Sequence, residues 1–488
     1  MIAFDTLPMT LRIPGVFVEF APGARGPLDI DQKLLIIGQR LPSGSAEAGS
    51  PVLVTHPDQA DEFFGAGSML ARMYRAAYRN NTYTETWCLP LDDDGAAVAA
   101  SGSFTFGGDP TQAGTLALYI GGHRVRVLVS VGDTPSTVAS AVASAINADT
   151  SMPVTASAAD AVVTVTAKNK GAVGNQIDLR HSYYLYESLP KGLTCDITAM
   201  SGGSGDPDIS DALAAISGLA FDYFCLPYTD TANLTAMRED LETRWSWQKQ
   251  VYGHAFTAAA GTVGELQALG NSHNSQHLTI MGAGKSPTCP EEWAAAVAAV
   301  AAYYLNQDPA RPLQTLELKG MLPPTYTELM DTTERDLLLH DGISTYYVSS
   351  DGRCRIEALI TTYQENVYGA PDTAYLYVNT PATLAYLAQS TVAYLSSKFA
   401  RHKLARDGGP VPPAGMRIAT PSLVRAEVIE HLTRLYHQKG VVEHPDAYQE
   451  SIVAEIENDD PSTGQVNLLL PVQLIGQLRR TFIRVEHT

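Results

Sequence analysis

The chain has 488 residues and carries 33 Lys and Arg against 52 Asp and Glu, a formal net charge of −19. That balance argues against affinity built on neutralising phosphates, so nucleic acid and anionic membrane are poor first guesses as partners. Hydrophobic residues at 45% and charged residues at 17% are the proportions of a chain that folds, with room for roughly three domains at about 150 residues each.

Residues 1–10 show no basic region ahead of an apolar block, so no secretory signal is read and synthesis is expected to end in the cytoplasm. Residues 1–27 read as an extended arm: within 12–20, Val16, Val18 and Phe20 alternate on one face, and Pro14 restricts the residue before it. The breaker cluster 21–27 separates this strand from Lys33-Leu34-Leu35-Ile36-Ile37-Gly38, a buried strand that opens the first part of the core, residues 28–95. Residues 96–205 turn to small residues, Thr and Val, and read as a self-contained α+β insertion. There Val125, Val127 and Val129 alternate with Arg124, Arg126 and Leu128, and Val163 and Val165 with Thr164 and Thr166. Between these strands Thr134 as cap and Pro135 as first helical residue introduce the stripe Val138, Val142, Ala145 and Ile146. Asp92-Asp93-Asp94-Gly95 and Ser201-Gly202-Gly203-Ser204-Gly205 flank the insertion as turn-forming linkers.

In residues 206–365, apolar strands at 221–227, 251–257 and 277–281 alternate with helices at 233–249 and from Glu291 onward, which implies an α/β layer with a largely parallel sheet. The apolar run 293–305 is too short to cross a bilayer and reads as a buried helix, so no membrane insertion is expected. A long helix is expected at 326–340, then an antiparallel pair, 343–348 and 355–363, around Ser350-Asp351-Gly352. Residues 366–475 hold a helix at 381–401, a turn cluster at 407–415, and a helix with Thr420 as cap, Pro421 at its first position and Gly440 as stop. Val424, Val428, Leu432 and Leu435 form its stripe, and Arg425, Glu427, Glu430 and Arg434 its outer face. Strands follow at 451–457 and 466–471. The last arm, 476–488, contains a strand at 478–485 in which Thr481, Ile483 and Val485 alternate with Arg480, Phe482 and Arg484. The fold class is therefore a mixed α+β and α/β multidomain chain.

Motifs for catalysis are missing. Gly282-Ala283-Gly284-Lys285-Ser286 follows a strand like the end of a phosphate loop, but Thr279 stands where the pattern needs glycine, and Pro287 and Pro290 crowd the helix start. An ordinary βα turn is the reading. His273 and His277 are four apart in a turn-like segment and read as structural or exposed; the acidic run 92–94 lacks the later glutamate of a calcium loop and reads as a solvated turn. Cys88, Cys195, Cys225, Cys289 and Cys354 form no CxxC pair, which suggests neither a disulfide framework nor a zinc site. With no GxSxG, HExxH or GxGxxG, no catalytic, cofactor-binding or metal residue is assigned and no enzyme is expected.

The two arms remain. Either each strand pairs within its own domain, or it is donated to a neighbour, with main-chain bonds supplying affinity and alternate side chains the register. About four net hydrogen bonds at roughly 1 kcal/mol each and three apolar side chains at about 2 kcal/mol each stand against an ordering cost of about 1 to 2 kcal/mol per residue. One exchange is near break-even, and many in a lattice hold through effective concentration.

Ile13-Pro14-Gly15-Val16-Phe17-Val18-Glu19 resembles the PGVYVE-type N-terminal signature of contractile-tail sheath proteins. With the length, the embedded insertion and Pro309-Ala310-Arg311-Pro312-Leu313, the chain resembles the tail sheath proteins of Mu-like phages from end to end. The resemblance implies a structural subunit that stacks as six-fold rings around a tail tube and contracts to drive the tube through a host envelope. It implies an inner α+β domain built from N- and C-terminal segments with strand-donating arms, an α/β middle domain and an outer β-rich insertion. The implied subunit-interface residues are Val16, Phe17, Val18, Phe20, Thr481, Phe482, Ile483 and Val485. The implied tube contacts are Arg425 and Arg434, with the helix near Pro381 as a rival. Further copies of the chain, the tube protein, and baseplate and tail terminator proteins are the implied partners, no cofactor is needed, and the implied location is the virion, assembled in the host cytoplasm. The alternatives are an α/β nucleotide-binding or hydrolytic enzyme, or another tail or baseplate component.

Overall fold

A computed structural model describes residues 32–409 and 416–487. Its centre is an eight-stranded sheet in the order Cys354–Ala358, Ile343–Val348, Leu278–Gly284, His254–Ala260, Tyr223–Cys225, Lys33–Gln39, Glu85–Leu91, Val52–Leu53. The six inner strands are parallel and an antiparallel strand closes each edge. Leu34 to Ile37 are buried on both faces, as an inner parallel strand requires. In register, Leu35 faces Phe224 on one side and Trp87 on the other, so strands more than 180 residues apart in sequence are direct neighbours. The alanine-rich helix Pro290–Gln307 lies against this sheet and against the helix Met69–Asn80. Its alanines from 294 to 302 are fully buried, and their small side chains permit the close approach of both neighbours.

Several boundaries differ from expectation for local reasons. The helix expected at 233–249 is Thr231–Arg244, started by the Asp230 carboxylate accepting from the Asn233 N–H. The strand expected at 251–257 is His254–Ala260. The single helix expected at 326–340 is a 3₁₀ turn, Tyr326–Glu328, and a separate helix, Thr332–His340. Asp331 breaks it: its carboxylate accepts from the Glu334 N–H while Glu334 accepts from the Asp331 N–H, a capping box that fixes a new start.

Residues between Leu91 and Tyr223 form a four-stranded sheet (Thr194–Ser201, Ser101–Gly107, Val162–Ala167, Val154–Ala159) and a three-stranded sheet (His123–Val129, Gly114–Ile120, Leu179–His181). The helix Pro135–Ala148, capped by Thr134, packs on both sheets through Val138, Val142 and Ile146. Val125, Val127 and Val129 are buried and Arg124, Arg126 and Leu128 exposed, as the alternation requires. This unit is tightly docked. Asp93, expected in a solvated turn, accepts from Gln39, from Asn169 and from the Lys170 N–H, and Asn169 in turn caps the Met69 N–H. At Gly121 (φ +55) the backbone approaches Cys289 so closely that a Cβ would sit 2.6 Å from its sulfur.

Beyond the sheet, the helices Asn379–Phe399 and Pro421–Lys439 pack with the antiparallel pair Val453–Ile456 and Val466–Leu469. Thr420 caps the second helix, Val428, Leu432 and Leu435 are its fully buried stripe, and Gly440 ends it in the left-handed region at φ 61. The strand expected at 478–485 is not one within the subunit: residues 476–487 join no ladder among the described residues. Among the described residues no helix is long and apolar enough to cross a membrane.

Candidate assembly surface

The C-terminal segment is held by its own subunit as far as Arg479 and then leaves it. Leu474 bridges Val442, the Glu443 N–H donates to Gln473 O at 2.8 Å, and Val472, Leu474 and Ile475 lie against the core under the Pro421–Lys439 helix. Gln477 Nε2 then donates to Ala310 O at 2.9 Å. The Arg479 guanidinium lies 3.7 Å over the Tyr377 ring and donates to Asn379 Oδ1 at 2.7 Å. Burial pushes Arg479 down to about 10, and its Nη1 is buried without a partner. Past this point Phe482 is 92%, Ile483 81% and Val485 87% exposed, and Thr481 is exposed too. Burying these three large apolar side chains against a partner would be worth about 2 kcal/mol each.

The same C-terminal unit carries a small sheet that, among the described residues, has no third strand. Among the described residues, Val453–Ile456 and Val466–Leu469 pair with each other and with no further strand, with Val453 opposite Leu469 and Ile456 opposite Val466. A two-stranded ladder is marginal alone and gains stability from further strands. Arg425 braces it, donating through Nε to Ile452 O at 2.7 Å and through Nη2 to Gln449 O at 2.6 Å. Arg434 lies on the same helix, 3.7 Å from Glu430 and 5.3 Å over the Tyr394 ring. Tyr394 also stacks on His431 at 4.6 Å and donates to Glu427 at 2.6 Å, and Lys398 pairs with Glu427 at 2.9 Å. Partial burial alone would raise the Glu427 carboxyl, but its bonds from Tyr394 and Lys398 hold it below the usual range. Burial and the Arg434 charge hold His431 down to about 4, so it is neutral in this ladder between the two helices. Val16, Phe17, Val18 and Phe20 lie outside the described residues.

The glycine-rich turn is a βα turn as read. Gly282 and Gly284 belong to the Leu278–Gly284 strand, Ser286 Oγ is engaged by Trp293 Nε1 and Leu322 O, and the helix begins only at Pro290. The first helical turn carries Glu291 and Glu292, both bonded to Arg72 at 2.8 Å, so carboxylates occupy the place where a phosphate would need N–H donors. This buried cluster escaped sequence reasoning, although two glutamates opening an otherwise apolar helix and an arginine inside Met-Leu-Ala-Arg-Met were visible signals. His273 and His277 follow the end of the Val263–Asn271 helix and are both buried, His277 against the Trp245 ring at 4.6 Å, so the exposed reading does not hold. Among the described residues no three potential metal ligands cluster.

The family described as phage tail sheath protein central domain matches residues 202–362, and phage tail sheath C-terminal domain matches residues 370–488. The chain is 38% identical over 480 residues to the Mu-like prophage FluMu tail sheath protein of Haemophilus influenzae, covering 98% of both proteins. A chain from the cryo-EM structure of the anti-feeding prophage (AFP) baseplate in contracted state shares the fold at TM-score 0.51 and 11% identity, over 98% of this chain and 99% of that one. The sheath tail protein of Desulfitobacterium hafniense superposes at TM-score 0.47 and 14% identity, over 90% of this chain and 93% of that one. Two matched domains and a relative alike from end to end leave one conclusion: the chain belongs to the phage tail sheath family.

Proposed function

We propose that this structural subunit of a contractile tail sheath polymerises around a tail tube as stacked six-fold rings, and that neighbouring subunits are joined by exchanged strands. Residues 481–487 are the donated C-terminal arm, and residues 12–20 its N-terminal counterpart. The observation that carries the reading is the exposed segment after Arg479, which joins no ladder among the described residues, in a subunit whose Val453–Ile456 and Val466–Leu469 sheet has no third strand among them. Val16, Phe17, Val18, Phe20, Thr481, Phe482, Ile483 and Val485 are the proposed interface. A contact that does not close on itself propagates as a filament, and two arms per subunit make a connected mesh.

The unit between Leu91 and Tyr223 faces outward in this reading, the eight-stranded sheet forms the middle layer, and the 366–475 unit lies inward against the tube. The Pro421–Lys439 helix supplies the tube contact through Arg434, while Arg425 holds the acceptor ladder in shape. Contraction is rigid-body movement of the packed units with the arms as hinges, and no catalytic step or cofactor enters it. The tube protein, a baseplate and a terminator are the partners, and the subunit is made in the host cytoplasm and resides in the virion. Negative-stain microscopy of the purified chain tests this: hollow tubes of stacked rings support it, and only dispersed monomers at every concentration and salt condition refute it.

A further inference from the structure

The hairpin at 365–371 ends in a tip whose two large side chains are exposed. Asn366, Val367, Tyr368 and Gly369 form its turn, closed by the Gly369 N–H donating to Asn366 O at 2.9 Å, with Gly369 at φ +72. Positions two and three of a turn ordinarily carry Pro, Asp, Asn or Gly. Here they carry Val367 and Tyr368, 93% and 91% exposed. The tip is nonetheless firmly set. Asn366 Oδ1 accepts from the Tyr368 and Ala370 N–H groups, and Asn274 holds the hairpin base by accepting from Gln364 N and donating to Glu365 O. A rigid turn that presents two large apolar side chains loses little freedom on docking. The exposed loop at Tyr184 and Tyr186 differs, because these two rings stack on each other at 5.4 Å.

The position of the hairpin indicates its partner. Pro371, Asp372 and Thr373 on its returning limb line a cavity of about 740 Å³ together with Arg479 and Arg480. The hairpin's returning limb therefore borders the cavity beside which the C-terminal arm departs. We propose that Val367 and Tyr368 dock on a second copy of this chain, the one that receives that arm. This rests on the strand-exchange reading above, since it is the arm's departure that brings a neighbour to this face.

The test compares wild-type protein, the double variant Val367→Ser with Tyr368→Ser, and Ile483→Asp, each followed by sedimentation and microscopy across a concentration series. The tip variant should keep the wild-type melting temperature as monomer and need at least tenfold more protein to form tubes. If it assembles at the wild-type concentration, the docking inference is overturned while strand exchange stands. If it melts well below wild type, the tip serves the fold and the inference is likewise overturned. If Ile483→Asp assembles normally, the exchange reading fails, and the docking inference, which depends on it, fails too. Protein that forms no tubes at all overturns both. A p-benzoylphenylalanine at position 368 should cross-link subunit to subunit in tubes but not in dilute monomer, and the absence of cross-links in tubes also overturns the docking.

Discussion

Replacing Arg72 by Met removes the cation that two buried carboxylates share. Arg72 Nη2 and Nη1 each lie 2.8 Å from a carboxylate oxygen, of Glu291 and Glu292 respectively, and all three side chains are nearly inaccessible to water. Burial alone would make the guanidinium easier to deprotonate, and the field of Glu291 with its neighbours outweighs this and holds the charge firmly on. Breaking a buried pair by deleting one partner costs about 3–5 kcal/mol, because the other charge stays buried. The cost falls on the joint between two units, since Glu292 also faces His123 of the inserted unit at 3.5 Å and Cys289 touches Gly121. Arg72→Met should therefore destabilise the central sheet by about that free energy, read as the shift of the urea midpoint multiplied by the slope m of its transition. The triple variant Arg72→Met with Glu291→Met and Glu292→Met should recover most of it, as apolar replacement of a whole buried cluster is often neutral. A single variant that loses less than about 1 kcal/mol, the range of an exposed pair, would refute the reasoning.

Ile483→Asp should leave the monomer's melting temperature unchanged, because Ile483 is exposed there, and abolish tubes by burying an unpaired charge in the neighbour's sheet; Arg484→Ala should do neither, and a large drop in monomer stability for Ile483→Asp would show intramolecular pairing. Burial holds His254 down to about 3, with the His277 charge adding to the effect, and holds His277 down to about 4. With folded values below the ordinary 6.5, the unfolded chain takes up protons first, so this stability is complete above pH 6.5 and is lost as pH falls through it toward 4. From pH 7 to 5 the loss is about 2 kcal/mol per histidine. Melting temperatures across that range check it, and a flat profile contradicts it. Gly121→Val should loosen the inserted unit by about 1–3 kcal/mol, seen as faster proteolysis at its linkers.

What was legible in the sequence were features written in neighbouring residues. Thr420, Pro421 and Gly440 delimit their helix because cap, first turn and stop are local chemistry, and Val125, Val127 and Val129 announce a half-buried strand by alternation alone. The break at Asp331 was legible too, as Asp331 and Glu334 stand at capping-box spacing within the stretch expected as one helix. The Arg72 cluster was not legible, because the sheet brings together residues 219 positions apart. The terminal strand was half legible: its alternation shows two faces, while its pairing partner is no property of the subunit's own sequence order.

A cryo-EM reconstruction of the assembled polymer tests the central claim most directly, by showing where residues 481–487 lie. The account predicts them as a strand added to the Val453–Ile456 and Val466–Leu469 sheet of a neighbouring subunit, with Ile483 and Val485 on that neighbour's core. A reconstruction in which the same residues fold back onto their own subunit would contradict it.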